Sequence, residues 1–419
     1  MKYLRFTPFI LITILPIFSV QAQDNPDFYL NENGITVMCT DAEFGDTGEL
    51  NGITYTKRTK EEIQNSGSDT EIATSCTSGI TDMSAMLMSR TSFNEDISSW
   101  DVSNVTNMDS LFFDVRSFDQ PLAYWDVSQV TSMNKTFFYA IDFKQSIDSW
   151  DVSNVTDMSY MFFNAQDYNQ PINSWDVSNV TDMSYMFSYA INFNQSLNDW
   201  NVSNVTDMSY MFREARNFNG SLKDWNVSNV TDMSYMFYSA AIFNQPINSW
   251  DVSNVTNMSY MFYNAGRLNQ SLNDWDVSKV TLMKEMFRNA RGLYTFADMA
   301  NWDVSNVTDM SGMFRDATYF NAPINDWDVS NVTTMENMFS GAAYFNQSLN
   351  DWDVSKVTHM RRMFSYSGFN GVIENWDVSN VTNMSHMFYN NRAFNQSLND
   401  WNVSNVTDMS SMFRDARNF

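Results

Sequence analysis

From residue 80 to the end of the chain, large apolar side chains return about every 25 positions, and polar residues fill the gaps in the same order each time. One unit, residues 180–204, shows the pattern. Met183, Met186, Phe187 and Ala190 stand at i, i+3, i+4 and i+7, the stripe of a short amphipathic helix. Thr181 precedes the stripe as an N-cap, and Asp182 puts negative charge into the first turn, where the helix field favours it. The cap threonine recurs from Thr81 to Thr407, so the pattern predicts fourteen helices. Phe193, Leu197, Trp200 and Val202 follow at wider intervals among Asn, Gln, Ser and Asp, which predicts a short extended segment near 195–198 and then turns. Pro121, Pro171, Pro246 and Pro323 cannot donate to a ladder, so the strand must be very short. Stacked units would form a thin parallel sheet with helices on the opposite face, around a core of Trp175, Trp200, Met183, Met186 and Phe187. A ten-residue helix is marginal in water, so no unit folds without its neighbours.

All 13 tryptophans, from Trp100 to Trp401, keep this register, which makes the 419-residue chain a repeat protein of about fourteen units over residues 80–419. The spacing breaks twice, around 293–300 and 367–371, where loops are expected to bulge. Residues 1–22 read as a secretory signal peptide: Lys2 and Arg5 precede an apolar run too short to span a bilayer, and small residues lead to cleavage after Ala22. Residues 23–79 form an expected amino-terminal cap. Cys39 and Cys76 are the only cysteines, and in an oxidising compartment they most simply form one disulfide, the alternative being two buried thiols. No later segment is apolar for long enough to predict a membrane span.

Charge narrows the function. With 24 basic residues against 49 acidic ones, a nucleic-acid groove is excluded and contact with anionic lipid is disfavoured. No catalytic motif is present, the aspartates recur without a unique pair, and no enzyme activity is expected. The two histidines, His359 and His386, lack metal-ligand spacing and read as solvated. An aspartate follows most tryptophans, as at Asp151 and Asp176, and a stack of them could hold Ca²⁺. Asn201, Asn226 and Asn402 in the same slot favour Asx-type turns instead, so no cofactor is expected. The Asn-Val-Thr triplets match glycosylation acceptors, although their threonine already has a role as a cap. Tyr160, Tyr185, Tyr210, Tyr235 and Tyr260 occupy one helix position in five consecutive units, opposite the Met/Phe stripe, and Phe163, Tyr238 and Tyr263 extend the patch. Such an aromatic strip stacks on sugars or serves as a protein-binding hot spot; the competing reading is a hydrophobic staple against Val155 and its equivalents.

The unit around Phe193-Asn194-Gln195, Trp200 and residues 202–212 closely resembles the BspA-like leucine-rich-repeat surface proteins, a bacterial family with a 25-residue repeat found in secreted proteins of marine Bacteroidetes and in mycoplasma-type lipoproteins. The resemblance covers residues 80–419, with Trp and Met where a usual leucine-rich repeat has leucine. It implies an α/β solenoid, a leucine-rich-repeat-like right-handed coil stack with a short strand and a short helix per repeat. It further implies a secreted or cell-surface adhesion module that binds an extracellular protein or glycan. The last unit reads as uncapped at Phe419, so the alternative is a structural protein that oligomerises through its solenoid ends.

Overall fold

A computed structural model of the chain describes residues 25–294 and 299–419. The leader assigned to residues 1–22 and part of the irregular segment around 293–300 lie outside the described residues.

Regular secondary structure gathers in one small α/β unit near the amino terminus. Strands β1 (Tyr29–Leu30) and β2 (Val37–Met38) pair antiparallel, and β3 (Thr47–Leu50) and β4 (Ile53–Lys57) form a hairpin. Asn51 and Gly52 turn that hairpin with φ of 54° and 81°, the positive values that a tight two-residue turn requires. Helix α1 (Lys60–Asn65) starts from a capping box between Thr59 and Glu62. Helix α2 (Asp69–Ala73) follows, and β5 (Ser75–Cys76) lies parallel to β4. A disulfide joins Cys39 to Cys76 inside a small core with Phe28 and Val37. The Ser78 hydroxyl donates to Asp101 at 2.6 Å, the Val37 N–H donates to Ser99 O, and Ile63 and Ile72 join the core of the units that follow.

Beyond Cys76 the described residues contain no helix and no strand longer than a single bridge, which corrects the expected α/β solenoid. The leucine-rich-repeat unit of one strand and one helix, and with it the expected fourteen helices and thin sheet, is absent among the described residues. In place of each helix the chain makes consecutive turns. In residues 183–190, Met186 N–H donates to Met183 O, Ser188 to Tyr185 O, and Ala190 to Phe187 O. Between these, the N–H groups of Met183, Tyr185, Phe187 and Tyr189 leave the segment and donate to Asp207, Ser209, Met211 and Arg213 O, at 2.7–3.1 Å. Parallel bridges run from Asp82 to Asp408, each between positions one unit apart.

The physical reason lies in two left-handed residues per unit. Tyr185 and Tyr189 have φ of 58° and 60°, and their equivalents share the sign throughout. Left-handed residues end a right-handed helix, at roughly 1–2 kcal/mol each for residues with a Cβ. They also turn alternate peptides toward the next unit, where each finds a partner, and so satisfy donors that a lone short helix would leave at its ends. A chain of three-residue turns carries the same i, i+3, i+4, i+7 apolar spacing as a helix. The sequence pattern therefore fits both, and Met183, Met186, Phe187 and Ala190 are fully buried.

Thr206 does not cap a helix. Its N–H and hydroxyl both donate to Thr181 O of the preceding unit. Trp175 and Trp200 are 3% and 2% exposed, with centroids 6.4 Å apart and planes 3° off parallel. The Trp200 Nε1–H donates to Ile172 O at 2.9 Å, so each indole is satisfied by the unit before it. Between the turns, Leu122, Ile172, Ile247 and Ile324 after the prolines point into the same core.

Candidate functional site

The left-handed turn residues place a rank of side chains on one face. Tyr160, Tyr185, Tyr210, Tyr235 and Tyr260 stand ring on ring, with successive centroids 4.3, 4.2, 4.4 and 4.5 Å apart and planes within 13° of parallel. Beside them, Phe113, Phe138 and Phe163 form a second stack at 4.5 and 4.7 Å, and Tyr238 and Tyr263 form a third at 4.4 Å. All of the candidate residues, Phe163 and the seven tyrosines, are half-buried. They sit in turns rather than on an outer helix face, so the staple geometry does not arise, and Val155 and Val180 are fully buried in the core.

Stacking decides what the strip presents. Each tyrosine in the middle of the rank has both ring faces covered by its neighbours, which leaves edges and hydroxyls toward solvent rather than faces for a sugar to stack on. Burial first, and then the neighbouring phenols, push Tyr185 and Tyr235 well above the usual tyrosine range. Cations lean on the strip. Lys135 Nζ lies 5.2 Å from the Tyr160 ring centre, Arg288 lies 5.0 Å from Tyr263, and Arg213 stands 5.1–5.8 Å from Tyr189, Tyr210 and Tyr238. None of these cations was legible as part of a site, because the slots they occupy, that of Tyr160 for Lys135 and that of Phe163 and Tyr238 for Arg213 and Arg288, are aromatic in other units.

Past Tyr263 the same face changes. The tyrosine rank continues as Glu285, Gly312, Asn337, Arg362 and His386, and a cavity of about 450 Å³ opens there, reached by Arg315, Arg362 and Arg414. Asp316 is the single carboxylate in its lining. His386, expected to be solvated, has Nδ1 shielded from solvent with no hydrogen-bond partner among the described residues, while His359 Nδ1 is paired with the Thr358 hydroxyl at 2.8 Å. The available signal was the lapse of the tyrosine consensus at these copies.

The repeated carboxylates are committed to the backbone. Asp151, Asp176 and Asp276 accept the N–H of the serine two residues on, and Asn201 does the same with its amide oxygen. Hydrogen bonds from the Ser153 hydroxyl and N–H hold the Asp151 carboxyl below the usual range. Among the described residues no three His, Cys, Asp or Glu side chains gather where a metal ion could sit. The Asn204 amide of an Asn-Val-Thr triplet donates to Ser178 O at 2.7 Å, so these asparagines too are occupied between units. These acids serve as acceptors within their own turns. Among the described residues no helix is long and apolar enough to cross a membrane.

The profile of a family described as "Mycoplasma protein of unknown function, DUF285" matches residues 58–153, 123–219, 196–296, 292–368 and 366–419. This match, with the absence of a strand and helix in each unit, corrects the assignment to the BspA-like leucine-rich-repeat family. No curated protein matches the sequence. Among solved structures, a leucine-rich repeat protein from Bacteroides ovatus is 11% identical, with 94% of this chain and 91% of that chain covered at a TM-score of 0.39. The functional domain of InlJ from Listeria monocytogenes is 11% identical over 78% of this chain and 63% of that one, at 0.19. A leucine-rich repeat protein from Leptospira interrogans is 7% identical over 83% and 94%, at 0.16.

Proposed function

The chain belongs to the DUF285 family, and on that footing we propose that it is a secreted or cell-surface, non-catalytic binding module that takes an extracellular protein or glycan along its tyrosine-bearing face. The stacked rank from Tyr160 to Tyr260 carries this reading. Five half-buried aromatic rings in register give a rigid surface with little side-chain entropy left to lose on binding, and aromatic residues are enriched where binding energy concentrates. Lys135, Arg213 and Arg288 add donors along the strip. The Cys39–Cys76 disulfide and the apolar leader sequence support an extracytoplasmic location.

The test is a variant with Tyr160, Tyr185, Tyr210, Tyr235 and Tyr260 all changed to Ser, compared with the parent chain on a glycan array and in pull-downs from extracellular matrix. The expected result is loss of capture while the core remains folded by circular dichroism. Equal capture by both chains would remove the strip from the function.

A further inference from the structure

The cavity beyond the strip lies where two ranks of large side chains lapse together. Where earlier units carry Tyr235 and Tyr260, these carry Gly312 and Asn337; where they carry Tyr238 and Tyr263, these carry Ser340 and Ser365. The opening is of small-ligand size, for which roughly 300–1,000 Å³ is usual.

Its charge is opposite to that of the molecule. Three arginines, Arg315, Arg362 and Arg414, line one elongated cavity in a chain of formal net charge −25. Arg315 and Arg414 make only long contacts to Asp316 and Asp415, at 3.5 and 3.9 Å, and Arg362 has no ion pair among the described residues. The backbone holds the groups in place: Arg362 N–H donates to Ser385 O, and His386 N–H to Ser410 O. Guanidinium is the planar, permanently charged donor suited to carboxylate and sulfate oxygens. The unpartnered Nδ1 of His386 adds a polar atom lacking a protein partner.

The remaining lining favours a sugar over an acidic peptide. Asn337 and Ser340 offer neutral amide and hydroxyl groups suited to a polyol. Tyr366, 54% exposed, meets Tyr389 edge-on at 5.3 Å and keeps a ring face open for the C–H side of a pyranose, which the stacked tyrosines do not. We propose that this cavity binds an acidic saccharide oligomer, its successive carboxylates or sulfates held by Arg315, Arg362 and Arg414 and a ring laid against Tyr366. The proposal deepens the reading of this face as a binding face and rests on it, but uses none of the stacked tyrosines.

The experiment is calorimetric titration of the full chain with uronic-acid oligomers, sulfated galactan oligomers, neutral oligomers of equal length, and poly-glutamate. The parent should bind one or both acidic saccharides, weaken with added salt, and show at least tenfold lower affinity for the neutral oligomers; the uronic-acid and sulfated arms separate carboxylate from sulfate. R362Q should lower acidic-saccharide affinity at least tenfold. Ser340→Tyr, which restores the ring that other units carry and leaves every arginine in place, should do the same by filling the cavity. A variant with Tyr185, Tyr210 and Tyr235 changed to Ser should retain this binding even where it loses the strip's ligand, so the two readings fail separately. No binding of acidic saccharides by the parent, equal affinity for neutral oligomers, tighter binding of poly-glutamate, or unchanged affinity in folded R362Q and Ser340→Tyr would each overturn the proposal.

Discussion

The rings of Tyr185 and Tyr210 lie 4.2 Å apart, 6° from parallel, on residues that both hold left-handed backbone conformations. A single geometry thus fixes the backbone ladder and the face of the molecule together, because the residue that turns its peptide toward the next unit also brings its ring onto the ring of that unit.

This coupling predicts an alkaline weakness. Burial raises Tyr160, Tyr185, Tyr235 and Tyr260 above the ordinary value near 10, with the neighbouring phenols adding to it at Tyr185 and Tyr235, so the folded chain keeps protons that the unfolded chain gives up. Stability from these groups is fully present below pH of about 10 and is lost as pH rises from there toward the folded values. Thermal melts between pH 8 and 11.5 should show a falling midpoint above about pH 10, and the fall should shrink when the five rank tyrosines are changed to Phe. An equally steep fall in the Phe variant would place the effect elsewhere.

Tyr168 carries a fault of the opposite kind. It is fully buried between Phe143 and Phe193, and its hydroxyl has no hydrogen-bond partner among the described residues. An unsatisfied buried hydroxyl costs about 1–3 kcal/mol. Tyr168→Phe should therefore stabilise the chain by about 1 kcal/mol, read as a higher denaturant midpoint; a lower one would mean that the hydroxyl has a partner in solution.

Alanine to glycine usually weakens a protein, yet Ala85 should behave in reverse. Its φ is 54°, and its N–H is held by Asp109 O at 2.8 Å. Relief of roughly 1–2 kcal/mol of left-handed strain outweighs the 0.4–1 kcal/mol, approximately, that glycine gives back to the unfolded chain. Ala85→Gly should raise the melting temperature slightly, whereas a clear drop would show that this conformation is unstrained.

The indoles test how the units hold together. Trp225 is 3% exposed, stacks on Trp200 and Trp250, and donates from Nε1 to Leu197 O at 2.7 Å. Trp225→Phe removes buried area and that bond, and should cost about 2 kcal/mol. Hydrogen exchange should then rise first in the two units that adjoin it, while uniform loss of protection along the chain would argue for a single global transition.

Much of this was legible in the residues, and the limits are instructive. The apolar positions Met183, Met186, Phe187, Trp175 and Trp200 were readable because burial depends on spacing alone, and spacing was conspicuous. Helix and strand were misassigned because a run of turns with alternating handedness buries the same positions, and nothing in Tyr185 or Glu214 announces a positive φ as glycine would. The expected ladder near 195–198 instead sits at Asp182 and its equivalents. The tyrosine strip showed in the pattern, but its face-to-face stacking did not, since that depends on the rise between units. The cavity stayed hidden because it lies where the aromatic slots lapse to Asn337, Ser340 and Ser365, which a search for repeated features passes over.

Every donor of Met183, Tyr185, Phe187 and Tyr189 meets an acceptor one period further along, and the same holds for the corresponding donors of the next unit. A gene that duplicated or deleted one such stretch would still encode a molecule in which each new neighbour fits the old one. Reach can therefore be tuned by recombination alone, without redesign of any contact, and a few departures such as Ser340 and Ser365 in neighbouring copies are enough to give one address along an otherwise regular wall its own chemistry.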